Sequence, residues 1–251
     1  MHFLLTNDDG IDAIGLKALS AAALEKGHTI TVCAPQTQQS ATSHSVTLFS
    51  PLLVKEVPWE GGKAYAVSGT PVDCARMGEQ LSDQPIDFVF SGINNGDNAG
   101  TAVYYSGTFS AAREARMLQL KAMAVSIKTK ATWDMLMNLA RTAVRLAEAL
   151  KDTDLPRLCV VNLNAPALPV EELKPLVLAP LSQSFFLDDY ERRSDLRGNP
   201  YFWLKPGIVM EAIEEGSDLD MLSKGHITCT FVMPSPDCNE QFSAKMQDFA
   251  R

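Results

Sequence analysis

The sequence lacks the features of two broad classes of protein. It contains no apolar run long enough to cross a bilayer and no cluster of basic residues, and 30 acidic residues outnumber 22 basic ones to give a net charge of −8. A membrane-spanning helix needs about 20 apolar residues, and binding to the nucleic-acid backbone needs a basic face. We therefore expect neither a membrane protein nor one that binds nucleic-acid polymers.

Paired cysteine motifs are also missing. The five cysteines are scattered and none forms a CxxC pair: Cys33, Cys74, Cys159, Cys229 and Cys238. An odd number of cysteines in apolar surroundings favours buried free thiols in a reducing compartment. No charged-then-apolar leader precedes the first apolar run. These features predict a cytoplasmic location.

Short and long apolar segments alternate along most of the chain. Short runs bounded by glycine, proline or polar residues predict strands, and longer amphipathic stretches predict helices. Strands are predicted at 2–6, 29–34, 86–90, 122–127 and, as the last clear one, 158–161; a hairpin at 51–57 and 63–67; and helices at 16–25, from 70–71 onward, at 110–118 and at 132–150. This alternation predicts an α/β fold, with a mostly parallel sheet covered by helices on both faces.

The composition changes after Asn164. The later part of the chain has more proline and charge and a less regular apolar period. We predict a catalytic core at 1–164 and a C-terminal extension at 165–251, with the end of the extension a candidate to return to the core. The extension contains large apolar side chains that need burial, which predicts packing against a neighbouring subunit. These side chains are Phe185, Phe186, Tyr201, Phe202 and Trp203.

Polar residues collect after three of the predicted strands. The first strand is followed by Asn7, Asp8 and Asp9, the second by the loop 35–45 and a later one by the loop 91–108. Ligands of open parallel sheets bind beyond the carboxyl ends of the strands. We therefore expect the three loops to meet at one edge of the sheet.

The residue types in these loops indicate a metal and an anion. Asp8 and Asp9 repel each other near an apolar core, and a divalent cation would relieve that repulsion. Carboxylate, amide and hydroxyl oxygens are ligands for Mg²⁺, Mn²⁺ or Ca²⁺. Ser106, Gly107 and Thr108 precede a predicted helix whose N-terminus could hold an anion. A metal beside an anion site is suited to hydrolysis of a phosphate ester.

Each motif also has a purely structural interpretation. Asp-Asp-Gly is common in turns, the glycine-rich stretch 92–96 is typical of a tight turn, and Ser-Gly-Thr before a helix is a common N-cap. His44 is a candidate for catalysis because it lies in the second loop, whereas the four histidines together show no metal-ligand spacing. Tyr104 and Tyr105 fit stacking on a base, pocket lining and core packing alike.

Ten segments in order along the chain carry a family resemblance: LLTNDDGIDAIGLKAL, GHTITVCAP, SHSVTL, VSGTPVDC, DFVFSGINNGDNAG, VYYSGTFSAA, AVS, VVNLNAP, RGNPYFWL and GSDLDMLSKGHITCT. Together they resemble the survival protein E (SurE) family of metal-dependent 5'/3'-nucleotidases. The resemblance implies a Rossmann-like core and an extension that subunits exchange in a homodimer or homotetramer. It also implies hydrolysis of nucleoside 5'-monophosphates, with 3'-monophosphates as a further class, to nucleoside and phosphate.

The resemblance further assigns metal ligands. It implies one divalent ion per subunit, Mg²⁺ or Mn²⁺, held by Asp8, Asp9, Ser40 and Asn94. Asp8, Asp9 and Asn94, together with Ser106, are accordingly the predicted catalytic residues.

The same resemblance assigns the phosphate-binding segment. It implies that the phosphate is held by Asn98, Ser106, Gly107 and Thr108. Ser106 and Thr108 would stabilise the charge that develops on the phosphoryl oxygens.

The loops also depart from the family pattern. The second loop of the family usually carries arginines in a D-R-N-R-S-like run, whereas residues 36–40 read QTQQS. The third loop commonly reads GINRGAN, whereas residues 92–98 read GINNGDN and include Asp97. Loss of positive charge near the phosphate predicts a preference for monophosphates over polyphosphate chains, unless basic residues of the extension such as Arg192, Arg193 or Arg197 restore the charge.

Two other functions remain open at this point. One is a phosphatase that forms an aspartyl-phosphate on Asp8 or Asp9, although the loop lacks the usual D-x-D spacing. The other is a nucleotide sensor that binds its ligand without turnover. The complete set of predicted metal ligands argues against the sensor.

Overall fold

The computed structural model describes residues 1–187, 189–205, 209–210 and 213–234. Its strands, in chain order, are β1 His2–Thr6, β2 Thr29–Pro35, β3 Val54–Val57, β4 Gly62–Val67, β5 Phe88–Asn95, β6 Ala122–Ile127, β7 Val160–Ala165, β8 Lys174–Leu178, β9 Phe186–Leu187, β10 Tyr190–Ser194, β11 Pro200–Leu204, β12 Val209–Met210 and β13 His226–Val232. The helices are α1 Ile14–Glu25, α2 Pro71–Leu81, α3 Gly107–Met117, α4 Trp133–Ala149 and α5 Asp218–Ser223, with short 3₁₀ helices at Gly100–Tyr104 and Val170–Glu172.

Nine strands form one mixed sheet in the order β3-β4-β2-β1-β5-β6-β7-β13-β8. The central strands from β4 to β7 are parallel, whereas β3 and β13 run antiparallel to β4 and β7 respectively. The predicted α/β fold with a mostly parallel sheet is therefore confirmed. Its topology places the carboxyl ends of β1, β2 and β5 side by side.

The apolar run of β1 divides between the two faces of the sheet. Phe3 and Leu5 pack with α1 and α4 on one face, and Leu4 packs with α2 and α3 on the other. Every residue of β1 is buried, as it is in β6 and β7. Burial on both faces explains why these strands read as continuous apolar runs rather than as an alternation.

The helices begin at the polar residues that cap them. Thr70 and Asp73 form a reciprocal capping box: the Asp73 backbone N–H donates to Thr70 Oγ1 at 3.2 Å, and the Thr70 N–H donates to Asp73 Oδ2 at 2.9 Å. This arrangement confirms the helix start predicted at 70–71. Ser106 caps α3, which therefore begins three residues before the predicted position.

The prediction that the last clear strand lies at 158–161 is wrong. β7 extends to Ala165, and β8 and β13 then join the main sheet. β8 is mostly exposed and contains Pro175, and β10 is exposed throughout and includes three charged residues, so neither has the apolar signature of a core strand. The division into a core at 1–164 and a subunit-exchanging extension stays a prediction, although β8 and β13 show that part of 165–251 lies in the core sheet.

Four cysteines are buried free thiols, as expected: Cys33, Cys74, Cys159 and Cys229. Cys238 lies outside the described residues. No helix among the described residues combines the length and apolar character needed to cross a membrane.

Candidate active site

A cavity of about 380 Å³ opens beside the carboxyl ends of β1, β2 and β5. It is lined by Asp8, Asp9, Gln38, Ser40, Ala41, Asn94, Asn95, Asn98, Ala102, Tyr105, Ser106 and Leu204. Six of the eight residues predicted from the sequence are in this lining, and the other two, Gly107 and Thr108, adjoin Asp8 behind it. The three polar loops therefore meet at one place, as the topology requires.

Asp8 is the more deeply buried of the two adjacent carboxylates, with 5% of its surface exposed. Burial raises the pKa of Asp8, and the charge of Asp9 adds to that rise, whereas a hydrogen bond donated by the Thr108 hydroxyl opposes it. A carboxylate with a raised pKa is one whose charge lacks compensation. A cation beside Asp8 would supply that compensation.

Asp9 lies beside Asp8 but is held by different partners. The Asn95 backbone N–H donates to Oδ2 of Asp9 at 3.2 Å, and Gln38 Nε2 donates to Oδ1 at 3.3 Å. Burial raises the pKa of Asp9, and the Asn95 hydrogen bond only partly offsets the rise. The pKa of each of the two carboxylates is therefore raised, and a nearby cation would oppose that rise.

The second loop is fastened to the first by its backbone. The Gln39 N–H donates to the Asp8 carbonyl at 2.7 Å. Gln38 Nε2 also donates to Ser40 Oγ at 3.0 Å, so one amide joins Ser40 to Asp9. Gln38 was not predicted as a site residue. Its place in a polar loop two residues before Ser40 was the available signal.

Asn94 stands at the end of β5 with its amide nitrogen already engaged. Nδ2 donates to the Gly96 carbonyl at 2.7 Å. Because the amide nitrogen is used in this hydrogen bond, the amide oxygen is the atom that a cation could bind. The oxygens of Asp8, Asp9, Ser40 and Asn94 around one cavity form a set of hard donors that fits a divalent cation of the Mg²⁺ or Mn²⁺ type.

Gly107 allows the N-terminus of α3 to lie directly against Asp8. A Cβ at this position would be 2.9 Å from Asp8 Cβ and 3.0 Å from Asp8 Oδ2, closer than side chains tolerate. The next residue, Thr108, donates its hydroxyl hydrogen to Asp8. The first turn of α3 and the Asp8 carboxylate are therefore packed as one unit.

Ser106 is the N-cap of α3, so the structural interpretation of this motif holds. Its Oγ accepts the Phe109 N–H at 3.0 Å and lines the cavity at the same time. The N–H groups of Gly107 and Thr108 are in the first turn, where a helix offers them no acceptor of its own. The N-terminus of an eleven-residue helix thus adjoins the carboxylate pair, and these two features make the site able to hold a cation and an anion together.

Asn98 is fixed by residues of β6 and β7 that the sequence did not single out. Its N–H donates to Asn164 Oδ1 at 2.8 Å, and its carbonyl accepts Nδ2 hydrogens from Asn162 at 2.8 Å and Asn164 at 3.2 Å. Its own Nδ2 donates to Ser126 Oγ at 2.9 Å. Alternating asparagines in an otherwise apolar strand were the signal, because a fully buried polar side chain needs a partner.

Comparison with known proteins places the chain in a family. Residues 3–187 match the family model described as survival protein SurE. The chain belongs to the SurE family.

The sequences of individual SurE relatives align with this chain over most of their length. A protein of Nitratidesulfovibrio vulgaris (strain DP4) named 5'-nucleotidase SurE is 42% identical over 231 residues, covering 92% of each chain. One of the same name from Desulfovibrio desulfuricans is 45% identical over 239 residues, covering 92% of this chain and 91% of that one. The crystal structure of the SurE protein from Aquifex aeolicus is similar over the full length of both chains, with a TM-score of 0.82 and 27% identity.

His44, in the segment SHSVTL that carries the SurE resemblance, is outside the described lining of the cavity. Arg113 Nε donates to His44 Nδ1 at 2.9 Å, so Nε2 carries the ring proton and donates to Glu114 at 2.7 Å. Arg76 Nε donates to the other oxygen of the buried Glu114 at 2.6 Å. His44 thus has a structural role beneath the second loop, and catalysis by this histidine has no support.

The two tyrosines of the SurE segment VYYSGTFSAA differ in position. Tyr105 lines the cavity with 62% of its surface exposed, whereas Tyr104 is outside the described lining. Ser43 fastens both backbones, its Oγ donating to the Tyr104 carbonyl and its N–H to the Tyr105 carbonyl. Tyr105 is therefore the one placed to contact a base, and that role stays a prediction.

The departures from the SurE loop pattern fall in different places. Gln38 lines the site, but Asp97 lines a separate cavity with Lys128 and Leu168. Asp97 would add a negative charge near the phosphate if it lay in the site, but its place in a separate cavity gives that effect no support. The described residues of the site lining include no lysine, arginine or histidine, so no other side chain in that lining replaces the charge of the family arginines.

The largest of the cavities described, about 540 Å³, is elsewhere and contains no predicted site residue. It lies between α1 and the β3–β4 hairpin, where Trp59 Nε1 donates to Ser20 Oγ at 3.0 Å. Among the described residues, no three histidine, cysteine, aspartate or glutamate side chains are grouped as metal ligands. The site's donor set consists of two carboxylates, an amide and a hydroxyl, and these oxygen donors are of the hard type rather than the zinc type.

Proposed function

We propose that the protein is a metal-dependent phosphomonoesterase that hydrolyses nucleoside 5'-monophosphates to nucleoside and phosphate, with 3'-monophosphates as a further substrate class. One observation carries the proposal: two adjacent carboxylates line a single cavity, and the buried one, Asp8, directly adjoins the N-terminus of α3. A cation site and an anion site in contact are the two requirements of metal-assisted phosphate hydrolysis. The name 5'-nucleotidase carried by the relatives supports the nucleotide as substrate.

Asp8, Asp9, Ser40 and Asn94 would hold one divalent ion per subunit, Mg²⁺ or Mn²⁺. When bound, the ion supplies charge neutralisation and activation of water. Thr108 fixes the orientation of Asp8, and Gln38 fixes Ser40 relative to Asp9. These contacts are made within the protein alone, so the ligand set is preorganised.

The substrate phosphate would lie against the first turn of α3. There the Ser106 hydroxyl and the N–H groups of Gly107 and Thr108 can bind its oxygens, and Asn98 also lines the cavity. Donors that are already fixed stabilise charge that develops on the phosphoryl oxygens without further reorganisation. Ser106 is fixed as the cap of α3, and the backbone of Asn98 is fixed by Asn162 and Asn164.

The proposal extends to assembly and location. The β10–β11 pair exposes Tyr201, Phe202 and Trp203, and an apolar surface of this kind favours a homodimer or homotetramer in which residues 165–251 pack on a neighbour. The side chain of Phe186, part of the same expectation, lies outside the described residues. Four buried free thiols fit a reducing compartment, which supports the cytoplasm.

The direct test is a panel of nucleoside 5'- and 3'-monophosphates assayed for phosphate release. The protein is first treated with a chelator, and Mg²⁺, Mn²⁺ or Ca²⁺ is then added back singly. We expect release from monophosphates only after a metal is restored. Nucleotide binding without release would instead support a sensor, and a trapped phosphoaspartate would support the aspartyl-phosphate mechanism. Release that is unaffected by chelation would contradict the proposal.

A further inference from the structure

A second cavity, of about 340 Å³, adjoins the candidate active site. The two cavities share Asp9, Gln38 and Asn95, so the contacts that hold Asp9 form the partition between them. On the far side of this partition the lining includes Ile14 and Lys130. A substrate bound at Asp9 could therefore extend into this second space.

Lys130 is the one cation among the described residues that line the two cavities. It follows β6 by three residues, and the end of β6 pairs with the end of β5 through Asn94 and Ser126. Within the described part of the chain, no carboxylate forms an ion pair with Lys130, whereas Lys63, for example, is paired with Asp83. The Lys130 ammonium is thus a positive charge available to a ligand.

Lys130 has a backbone conformation that is uncommon for a residue with a side chain. Its φ of 74° lies in the left-handed region, which costs a residue with a side chain about 1 kcal/mol. The loop between β6 and α4 retains this conformation, although glycine would adopt it freely. Lys130 has this conformation and lines the second cavity.

The charge balance indicates what this lysine could bind. Asp8 and Asp9 carry two negative charges, which one divalent ion would neutralise, and the scissile phosphate then adds up to two more. A second phosphoryl group would add further negative charge, and the described site lining contains no cation for it. Because the family arginines of the second loop are replaced by the uncharged residues Thr37 and Gln39, Lys130 is the residue that can meet that charge.

We infer that the second cavity is a subsite for a second, non-scissile phosphoryl group of the substrate and that Lys130 binds it. The group could belong to a nucleoside 3',5'-bisphosphate or to a polyphosphate chain, which present the same chemistry. Gln38 and Asn95 offer side-chain amide groups on the partition. The inference rests on the proposed function, because it takes the Asp8–Asp9 cavity as the site of the scissile phosphate.

The test compares Lys130→Ala with a matched control, Lys128→Ala. Lys128 is exposed, lies two residues away and lines a different cavity, so its loss changes the net charge equally without touching the subsite. The KM is measured for a nucleoside 5'-monophosphate, a nucleoside 3',5'-bisphosphate and inorganic tripolyphosphate. We expect Lys130→Ala to raise the KM of a substrate with more than one phosphoryl group about tenfold relative to the KM of the monophosphate. Lys128→Ala should leave that ratio unchanged, and Lys130→Arg should largely preserve it.

The two phosphoryl sources give different results. A rise confined to the bisphosphate assigns the subsite to a nucleotide's second phosphate, and a rise confined to tripolyphosphate assigns it to a polyphosphate chain. An equal rise for all three substrates would place Lys130 at the scissile phosphate and overturn the inference. Equal effects of Lys130→Ala and Lys128→Ala would also overturn it, because they indicate only a change in overall charge.

A binding measurement separates this inference from the proposed function. Methylenediphosphonate has two phosphoryl groups and no hydrolysable bridge, so calorimetry with excess Mg²⁺ reports binding without turnover. We expect Lys130→Ala to weaken its binding about tenfold and Lys128→Ala to leave it unchanged. If no nucleotide is hydrolysed but this difference is found, the proposed function fails and the subsite stands. If monophosphates are hydrolysed and the difference is absent, the subsite fails alone.

Discussion

The central strands of the sheet and the β10–β11 hairpin are both joined by backbone hydrogen bonds, parallel at the centre and antiparallel in the hairpin, but they differ in burial. Every residue of β6 and β7 is buried, and every residue of β10 and β11 is exposed. A two-stranded hairpin alone is marginally stable in water, because its hydrogen bonds replace bonds to water and little apolar surface is removed. The comparison shows that burial, rather than strand pairing, decides where the stability of this protein resides.

The buried sheet and the exposed hairpin also differ in how much each contributes to the candidate active site. Most of the described site lining comes from the end of β5 and from loops that the buried sheet positions, and the hairpin contributes only Leu204. We therefore expect changes in the core to affect stability and turnover. Changes in the hairpin should affect association between subunits.

The largest effect should come from truncating a core aromatic residue. Phe90 on β5 is fully buried against Phe3 and Phe88, so Phe90→Ala should lower the free energy of unfolding by about 3–5 kcal/mol. Phe202→Ala, the same change in the exposed hairpin, should cost less than about 1 kcal/mol and should weaken association instead. Urea unfolding and light scattering measure the two effects. Equal losses of unfolding free energy would contradict the comparison.

The next largest effect concerns catalysis. Asp8→Asn and Asp9→Asn should each lower kcat/KM by about 10²- to 10³-fold at limiting metal, because each removes a ligand charge from a hard-cation site. Asp12→Asn is the matched control, since Asp12 is an exposed carboxylate in the same loop. Thermal unfolding should be little changed in the site variants. Turnover close to that of the unchanged protein in either variant would remove the metal assignment.

An intermediate effect should follow from loss of Asn164. Asn164→Ala removes the acceptor of the Asn98 N–H and one donor to the Asn98 carbonyl, and leaving buried groups unpaired costs about 1–3 kcal/mol. Because Asn98 lines the site, we also expect kcat/KM to fall by about tenfold. Asn138→Ala, on the partly buried surface of α4, serves as the control. A loss of stability with unchanged kinetics would show that Asn98 does not contact substrate.

The smallest effect is a difference in pH dependence between the two regions. Burial raises the pKa of Asp73, but hydrogen bonds from Thr47 and Thr70 outweigh it and leave the pKa below its ordinary value. A lowered pKa contributes stability above about pH 4, which is lost as the pH falls through the lowered value. In the hairpin, Lys205 lowers the pKa of the exposed Asp189.

Salt distinguishes these two carboxylates. Acid unfolding of Asp73→Asn should differ from that of the unchanged protein in both low and high salt, because its hydrogen bonds are internal. Any effect of Asp189→Asn should disappear in high salt, which screens exposed ion pairs. Equal salt sensitivity of the two variants would contradict this assignment.

The sequence predicted most of what depends on short-range pattern. The apolar runs of β1, β5 and β6 and the start of α2 at Thr70 are local signals, and the structure has all of them. Placing the three polar loops together needed only the rule that parallel strands end at one edge. These features could be predicted because each depends on a few adjacent residues.

Other features depend on partners distant in the chain. Asn162 and Asn164 bind the backbone of Asn98, which lies 64 and 66 residues earlier in the chain. The sequence alone does not show which residue a buried asparagine will bind. β13 enters the sheet between β7 and β8, an antiparallel insertion that no local period indicates. The role of His44 likewise required the positions of Glu114 and Arg113.

The position of β13 between β7 and β8 means that this edge of the sheet cannot be completed until β13 has been synthesised. β8 is hydrogen-bonded within the described sheet to β13 alone, and β13 also covers the outer edge of β7, although it is made last. A ribosome that adds about 5–20 residues per second leaves those edges uncovered for several seconds. An uncovered strand edge pairs readily with other chains. A nascent or truncated chain that stops before His226 should therefore be the form of this protein most prone to aggregate or to require a chaperone.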